Sequence, residues 1–195
     1  PDEIKTLRKN LADKYFCNFS VFQSVPDSWA IDQVFPVLPI QRLNEEPGRE
    51  ATLEDITCDS DGRLDLFIGT NRSNTPTLKV HQLEQGEPYQ LGIFLTGSYQ
   101  EILGDLHNLF GDTNTFHVSI QKDGSLKYEQ IIEGENVTDV LDYVQFKADE
   151  LAGRVSGFLV NYVETGNITQ KEADEFLSLY KEGLNGYTYL LKSNS

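Results

Sequence analysis

The chain has 195 residues, of which 31 are Asp or Glu and 16 are Lys or Arg, so its formal net charge is −15. A chain of this length can close a hydrophobic core of its own, which excludes a mini-protein. The acidic excess argues against a surface that binds nucleic-acid phosphates or anionic lipid heads, and no apolar run approaches the length of a membrane span. We therefore expect neutral or cationic partners, with no nucleic acid and no membrane.

The two cysteines, Cys17 and Cys58, form neither a CxxC pair nor a disulfide framework. A reducing compartment is the default for such a chain. The N-terminus has no basic region followed by an apolar segment, so neither a signal peptide nor a transit peptide is predicted. We expect a cytoplasmic protein. Because the sequence contains no methionine, we also expect it to be part of a longer protein or a processed product.

The N-terminal two-thirds of the chain has a β-rich pattern. Residues 1–14 carry apolar side chains at helical spacing and predict a short helix that leads in from a preceding domain. Runs of β-branched and aromatic residues then predict strands at 15–22, 34–40, 51–57, 64–68, 78–83, 89–96, 115–121 and 125–132. Lys122-Asp123-Gly124 predicts a hairpin between the last two. We therefore predict a mainly β domain over residues 15–135, an antiparallel β-sandwich or a Greek-key barrel.

Residues 136–195 predict a C-terminal helical extension. Apolar residues recur at helical spacing over 137–144 and again over 151–163. A further helix is expected to begin at Thr169 and Glu172, which have the spacing of a capping box. In that motif the hydroxyl accepts the backbone N–H three residues on, and the carboxylate accepts the N–H of the cap.

The densest polar cluster is residues 55–65, where a predicted strand ends in a loop. A calcium EF-hand is excluded: with Asp59 and Asp61 at the third and fifth ligand positions, the first and last positions carry no carboxylate. Two interpretations stay open. In the first, Asp and Gly satisfy the backbone of a turn and Cys58 is a small buried hydrophobe. In the second, a thiol acts beside two carboxylates, and because carboxylates raise the pKa of a neighbouring thiol, it serves as a proton donor.

A second polar cluster is Thr96-Gly97-Ser98-Tyr99, between an apolar strand and a segment with helical pattern. Gly97 lets the backbone approach a ligand, and the Ser98 N–H and the Tyr99 hydroxyl are groups that bind phosphate. The same residues also form a common helix entry, which the sequence alone favours.

Other chemistry-bearing patterns are absent from the sequence. There is no GxSxG elbow, no Walker A loop and no GxGxxG after a strand. The histidines show no metal-binding spacing and neither cysteine has a zinc-type partner, so no metal site is predicted. Residues 104–114 are rich in Gly, Asp and Asn. They predict a structured loop to which the sequence alone assigns no purpose.

Several motifs closely resemble the C-terminal part of bacterial biosynthetic arginine decarboxylases. They lie at residues 15–24 with 27–33, 42–47, 56–62 and 97–114, and the ending at 183–190 is also similar. The resemblance covers nearly the whole chain. It implies an enzyme of the alanine racemase and ornithine decarboxylase class that depends on pyridoxal 5'-phosphate. Such an enzyme has a barrel domain, a β-domain and helical additions, and two of its subunits share each active site.

The resemblance also implies roles for individual residues. Cys58 would protonate the substrate carbon after CO2 leaves, delivered across a dimer interface to the partner's barrel. Asp59 would face the distal end of the substrate, and the pair Asp59 and Asp61 suits bidentate binding of a planar guanidinium. Asp32 would be a further acidic substrate contact. Tyr99 would contact the phosphate of the cofactor.

The implied reaction converts L-arginine to agmatine and CO2 in polyamine biosynthesis. In this family the cofactor-binding lysine and the glycine-rich phosphate loop belong to the barrel, which the chain lacks, so alone it is predicted to be inactive. Its expected partners are the N-terminal barrel portion, a second copy in at least a dimer, and arginine. Magnesium is associated with such enzymes, but no ligand set for it is evident.

Two alternatives from other classes stay open. The chain is a non-catalytic regulatory or binding subunit that pairs with a barrel-bearing decarboxylase chain, or it is a cysteine hydrolase that uses Cys58 with a histidine. The acids around the thiol disfavour the second, because a nucleophilic cysteine requires a thiolate.

Overall fold

The structure, a computed structural model, describes residues 2–69 and 73–191. Pro1 and residues 192–195, which belong to the predicted lead-in and extension, lie outside the described residues. The chain divides into two compact units, residues 1–108 and 109–195.

The first unit alternates short helices and short strands. Its helices are α1 (Asp2–Leu11), α2 (Val21–Ser24), α3 (Pro26–Ile31) and α4 (Ser98–Ile102). Its strands are β1 (Asp13–Phe16), β2 (Val37–Pro39), β3 (Arg49–Glu54), β4 (Arg63–Leu64), β5 (Phe67–Ile68), β6 (Asn74–Thr75), β7 (Leu78–Val80) and β8 (Leu91–Ile93). A 3-10 turn, His107–Leu109, follows them in the chain. The helix predicted within residues 1–14 is confirmed as α1.

Small sheets, not one large one, make up the β structure. β3 is central in a four-stranded sheet and pairs parallel with β1 and antiparallel with β4 and β7. β2 pairs with β8, and β5 pairs with β6, each as a separate antiparallel pair. Over residues 2–69 and 73–191, neither a closed barrel nor a Greek-key sandwich is seen. The chain is therefore a mixed α/β structure with small sheets, and the parallel β1–β3 pair was not expected.

Helix caps explain why the strand predicted at 15–22 is wrong beyond Phe16. Ser20 has an extended backbone, and its Oγ accepts the N–H of Gln23 at 3.2 Å, which makes it the N-cap of α2. Asp55 Oδ2 accepts the N–H of Val21 at 2.9 Å. These bonds satisfy donors at the start of a helix, and they outweigh the β preference of the side chains that follow.

The core of the first unit lies around β3 and is built from Tyr15, Val21, Val25, Phe35, Ala51, Leu53, Leu64, Phe67, Leu78 and Val80. Three successive residues of β3, Ala51 to Leu53, are buried, so this strand is covered on both faces. Because β3 runs directly into residues 55–62, that loop is attached to the most enclosed strand of the unit.

The second unit contains β9 (Thr115–Ile120), β10 (Leu126–Ile132), α5 (Val137–Tyr143), α6 (Ala148–Glu164) and α7 (Gln170–Leu184). The predicted hairpin is confirmed: β9 and β10 pair antiparallel, and Gly124 in the turn has φ of 83°, which glycine adopts readily. The capping box of Thr169 and Glu172 is confirmed at α7, and α5 begins with a second one, Asn136 with Asp139.

The hairpin belongs to the same compact unit as the three helices, whereas the sequence places it in the β-domain of residues 15–135. Hydrogen bonds close to it explain this grouping. The Glu135 N–H donates to Asp112 O at 3.0 Å, and the Tyr189 hydroxyl donates to Gly111 O at 2.9 Å. The segment before the hairpin is thus bonded both to the segment after it and to the end of the described chain.

Over residues 2–69 and 73–191, no helix combines the length and the apolar character that a membrane crossing requires.

Candidate functional site

Residues 55–62, here called the thiol loop, join β3 to β4 and carry three of the predicted site residues, Cys58, Asp59 and Asp61. The Cys58 side chain is exposed. The interpretation of Cys58 as a small buried hydrophobe is therefore wrong. The residue is therefore accessible to groups outside this chain.

A buried carboxylate organises the thiol loop. Asp55, which is 3% exposed, accepts the Thr57 N–H at 2.8 Å and the Thr57 hydroxyl at 2.7 Å through Oδ1. Its other oxygen accepts the N–H of Val21 at the start of α2 at 2.9 Å. Charge-assisted bonds of this kind are among the stronger hydrogen bonds in proteins. The carboxylate thus fixes the loop, which continues directly from β3, to α2.

Gly62 closes the thiol loop and has no room for a side chain. Its carbonyl accepts the Asp55 N–H at 2.7 Å. A Cβ atom at this position would lie 2.2 Å from Asp55 Oδ1 and 2.5 Å from Thr57 Oγ1. Glycine is required here because the buried carboxylate occupies the space that any other residue would need.

The two acids of the loop have different surroundings. Asp59 Oδ1 accepts the Asp61 N–H at 2.9 Å, so this carboxylate satisfies a turn, as the first interpretation of the cluster expected. Asp59 Oδ2 lies 3.6 Å from Nε2 of His107. The Asp61 carboxylate is exposed and makes no hydrogen bond to any residue within 2–69 or 73–191. Both carboxylates keep oxygen lone pairs that a cationic ligand can use.

Asn108 holds Cys58 from another part of the chain. The Cys58 N–H donates to Asn108 Oδ1 at 3.0 Å, and Asn108 Nδ2 donates to Cys58 Sγ at 3.3 Å. Asn108 has φ of 57° and ψ of 21°, a left-handed conformation that asparagine tolerates better than most residues. Sequence reasoning missed this contact. An asparagine in a loop rich in Gly, Asp and Asn was the only signal for it.

The residue before Asn108 is anchored by aromatic packing. The His107 ring lies against Phe22 of α2, with ring centroids 4.5 Å apart. Phe22 also makes an edge contact with Trp29 of α3, at 5.2 Å between centroids. Nε2 of His107 is buried and makes no hydrogen bond to the described residues. α2 therefore contacts the thiol loop at Asp55. Through Phe22 it also contacts His107, the neighbour of Asn108.

The Tyr99 side chain lies on α4 and is 65% exposed. Its hydroxyl makes no hydrogen bond within the described ranges. Gln100, a residue that sequence reasoning missed, is buried and holds α4 to α3: it accepts the Asp27 N–H at 3.1 Å and donates to Asp27 Oδ2 at 2.7 Å. A buried glutamine beside an exposed tyrosine thus fixes the helix that presents the hydroxyl.

Asp32 ends α3 in a left-handed conformation, with φ of 54°, and its side chain is exposed. No hydrogen bond or ion pair among the described residues links Asp32 or Tyr99 to the thiol loop. The structure thus brings together Cys58, Asp59 and Asp61, joins Asn108 to them, and leaves Asp32 and Tyr99 as separate exposed positions.

Among the described residues there is a group suited to the phosphate of pyridoxal phosphate, but no buried lysine to bind this cofactor. The exposed Tyr99 hydroxyl suits a hydrogen bond to a phosphate oxygen. No lysine whose side chain the structure describes is buried, whereas a lysine in a dry pocket is the usual partner of this cofactor. No cluster of three or more His, Cys, Asp or Glu side chains able to hold a metal ion occurs in residues 2–69 and 73–191.

The helical segment of the second unit matches a known protein family. Residues 137–190, which contain α5, α6 and α7, match the family model of the arginine decarboxylase C-terminal helical extension. This part of the chain is therefore similar to the extension that arginine decarboxylases carry.

Whole-chain comparisons are more specific. The biosynthetic arginine decarboxylases of Bacteroides thetaiotaomicron and Rhodopirellula baltica are 58% and 52% identical over 97% of this chain. The crystal structure of the biosynthetic arginine decarboxylase of Campylobacter jejuni matches 92% of the chain with a TM-score of 0.80 and 36% identity. The chain corresponds to the C-terminal portion of biosynthetic arginine decarboxylases, which confirms the resemblance noted from the motifs.

The chain is much shorter than these relatives. It spans 30% of the length of the Bacteroides protein, 28% of the Rhodopirellula protein and 29% of the Campylobacter structure. The relatives therefore contain further domains that this sequence does not include.

Proposed function

We propose that this chain is the part of an arginine decarboxylase that supplies the proton donor and the substrate-binding acids. The observation that supports this most is the exposed Cys58 in a loop whose backbone is held by the buried Asp55 carboxylate and whose Asp59 carboxylate accepts the Asp61 N–H. In the complete protein, L-arginine is converted to agmatine and CO2. We place this reaction in polyamine biosynthesis and in the cytoplasm.

The proton transfer is the step in which Cys58 acts. When bound, pyridoxal phosphate supplies the electron sink that takes up the electron pair of the broken carbon–carboxylate bond. The Cys58 thiol then gives its proton to that substrate carbon, a C–H bond forms, and the thiolate regains a proton from water. One arginine and one proton thus yield one agmatine and one CO2.

The acceptor carbon must come from outside this chain. Cys58 is exposed, and no lysine with a described side chain is buried. We therefore propose that the thiol loop enters the barrel domain of a second subunit, so that the protein works as at least a dimer. The barrel portion also carries the lysine and the phosphate loop, and the chain alone is expected to be inactive.

Substrate recognition follows from the charges of the thiol loop. The guanidinium of arginine is planar and permanently charged, and it presents a fork of donors that matches carboxylate oxygens. The Asp61 N–H orients the Asp59 carboxylate, and the Asp61 carboxylate is exposed. We assign both acids to the distal end of the substrate and Asp32 to a further acidic contact. Tyr99 is assigned to the cofactor phosphate.

Two expectations belong to the complete protein. We propose that the small sheets of the first unit are part of an antiparallel β-sandwich or Greek-key barrel there. Magnesium is expected only because the resembling enzymes are associated with it, and we assign it no residues of this chain.

The test is reconstitution of this chain with its barrel portion, followed by measurement of agmatine and of the aldehyde formed when the proton is delivered to the cofactor instead of the substrate. In Cys58→Ala we expect agmatine release to fall by about 10² to 10⁴, the usual contribution of a general acid, with a higher share of aldehyde. Cys17→Ala is the matched control and keeps both products at the level of the unmodified chain.

Unchanged products in Cys58→Ala would show that the thiol is not the donor. If, in addition, the chain binds the barrel portion without being needed for agmatine release, it is the non-catalytic regulatory or binding subunit. The hydrolase alternative predicts instead rapid alkylation of Cys58 at neutral pH.

A further inference from the structure

Asn108 contacts Cys58 with both ends of one side-chain amide. Oδ1 accepts the Cys58 backbone N–H at 3.0 Å, and Nδ2 donates to the Cys58 sulfur at 3.3 Å. We propose that Asn108 is the positioning residue of this thiol and directs the thiol proton away from its own amide group. This inference rests on the proposed function of Cys58.

The orientation of the amide is set by its backbone partner. A backbone N–H can only donate, so the amide end that faces the Cys58 N–H must be the oxygen. The NH2 group is then the end that faces the sulfur. Because an amide NH2 group has no available lone pair to accept the thiol proton, the S–H bond cannot be directed at the amide end that faces the sulfur. The thiol proton is therefore left for another acceptor.

The residue type at position 108 is informative. The backbone there has φ of 57°, which Gly, Asn and Asp adopt more readily than other residues. Glycine would offer no side-chain bond. Aspartate would accept the Cys58 N–H but present a second oxygen to the sulfur, and that oxygen would attract the thiol proton. Of these three, asparagine alone combines an acceptor for the backbone with a donor for the sulfur.

The support of Asn108 is rigid enough for a positioning role. The Asp105 N–H donates to Phe22 O at 3.0 Å, and the His107 ring packs on the Phe22 ring. α2, which carries Phe22, is in turn bonded to Asp55 of the thiol loop. The two sides of the Asn108–Cys58 contact are therefore fixed to the same short helix.

The first arm of the test is alkylation of Cys58 by iodoacetamide as a function of pH. Trypsin cleavage after Arg49 and Arg63 isolates Cys58 in the peptide of residues 50–63, so mass spectrometry reads this thiol separately from Cys17. The variants are Asn108→Gly, which removes both bonds without backbone strain, and Asn108→Asp, which keeps only the acceptor. Asn44→Asp, at an exposed asparagine, is the control for added charge.

In Asn108→Asp the midpoint of the alkylation profile is expected to move up by about one pH unit, because a carboxylate disfavours a nearby thiolate. At pH 7 the rate then falls about tenfold. Asn108→Gly loses a donor to the thiolate, and its rate falls about threefold. Asn44→Asp keeps the profile of the unmodified chain. Identical profiles for all four proteins would overturn the Asn108–Cys58 contact.

The second arm is the product ratio of the reconstituted enzyme. In both Asn108 variants the share of aldehyde is expected to rise about tenfold, because the general acid is no longer held towards the substrate carbon. The KM for arginine is expected to change by less than about twofold. A loss of fold alone would not change this ratio. If Asn108→Gly fails to fold, Asn108→Asp still tests the inference, because it keeps the acceptor for the Cys58 N–H.

The outcomes separate the two claims. If Cys58→Ala raises the aldehyde share and neither Asn108 variant does, the positioning role is wrong and the donor role stands. If Cys58→Ala itself leaves the ratio unchanged, the proposed function fails, and the alkylation profiles decide only whether the contact exists.

Discussion

Replacement of Asp55 by asparagine is expected to weaken the first unit, because each hydrogen bond that the described residues make to this carboxylate is donated to it. It accepts the Val21 N–H at 2.9 Å, the Thr57 N–H at 2.8 Å and the Thr57 hydroxyl at 2.7 Å. Asparagine has nearly the same shape, but one end of its amide is a donor. Whichever way that amide is turned, its NH2 group faces a backbone N–H.

The size of the effect follows from burial. Asp55 is 3% exposed and Val21 is 0% exposed, so water cannot replace the lost acceptor. A hydrogen bond to a charged group contributes about 1.5–3 kcal/mol, and a buried donor without a partner costs about 1–3 kcal/mol. Since these two contributions overlap, we expect the free energy of unfolding to fall by about 2–4 kcal/mol. That is a large share of the roughly 5–15 kcal/mol of a typical domain.

Denaturant unfolding followed by tryptophan fluorescence measures this change. Trp29 is the only tryptophan of the chain, and its ring contacts Phe22 of α2. The control is Asp61→Asn, whose carboxylate is exposed and makes no hydrogen bond to the described residues. It should stay within about 0.5 kcal/mol of the unmodified chain. If Asp55→Asn falls within the same range, the role given to this carboxylate is refuted.

Two further predictions concern Gly62 and Cys17. Gly62→Ala places a Cβ 2.2 Å from Asp55 Oδ1, so it should lower the free energy of unfolding, measured with denaturant, by about 1–3 kcal/mol. Gly48 has open space around it, so Gly48→Ala should lower this free energy little. Equal effects of the two substitutions would contradict the steric argument. Burial, with a smaller contribution from Glu54, raises the pKa of Cys17 from the ordinary 9.0 to about 11. Because the folded state then binds the proton more tightly than the unfolded state, this stabilisation is complete below pH 9 and is lost between pH 9 and 11. The difference in free energy of unfolding between the unmodified chain and Cys17→Ala should therefore shrink over that range in a pH series, and a constant difference would disprove it.

The parts of the fold that the sequence predicts well are those held by short-range interactions. The capping box of Thr169 and Glu172 lies within one helical turn, and the hairpin between β9 and β10 turns at a glycine. In both cases the residues that determine the structure are neighbours in sequence. The motifs of the family were also readable, because each is a contiguous run.

The parts that the sequence mispredicts depend on distant residues. The start of α2 at Val21 is satisfied by a carboxylate 34 residues away, so the local β preference gave the wrong element. The predicted strand at 64–68 is two strands: β4 pairs with β3, whereas β5 pairs with β6. Neither pairing can be read from the run itself.

The candidate site shows the same division. Cys58, Asp59 and Asp61 are close in sequence, so their grouping was predictable. The contact between Asn108 and Cys58 joins residues 50 positions apart, and it depends on a left-handed backbone that sequence pattern alone does not specify. Sequence reasoning therefore identified the thiol loop but not the residue that holds its thiol.

The ribbon of β9 and β10 has a consequence for how the second unit moves. Every residue of β10 is exposed, and most of β9 is as well. A two-stranded ribbon without a covered face has little to stabilise it beyond its ladder of backbone bonds and a few cross-strand contacts, such as Phe116 with Tyr128 and Ser119 with Glu129. Its amide hydrogens should therefore exchange with solvent through local opening, at a free-energy cost well below that of unfolding α5, α6 and α7.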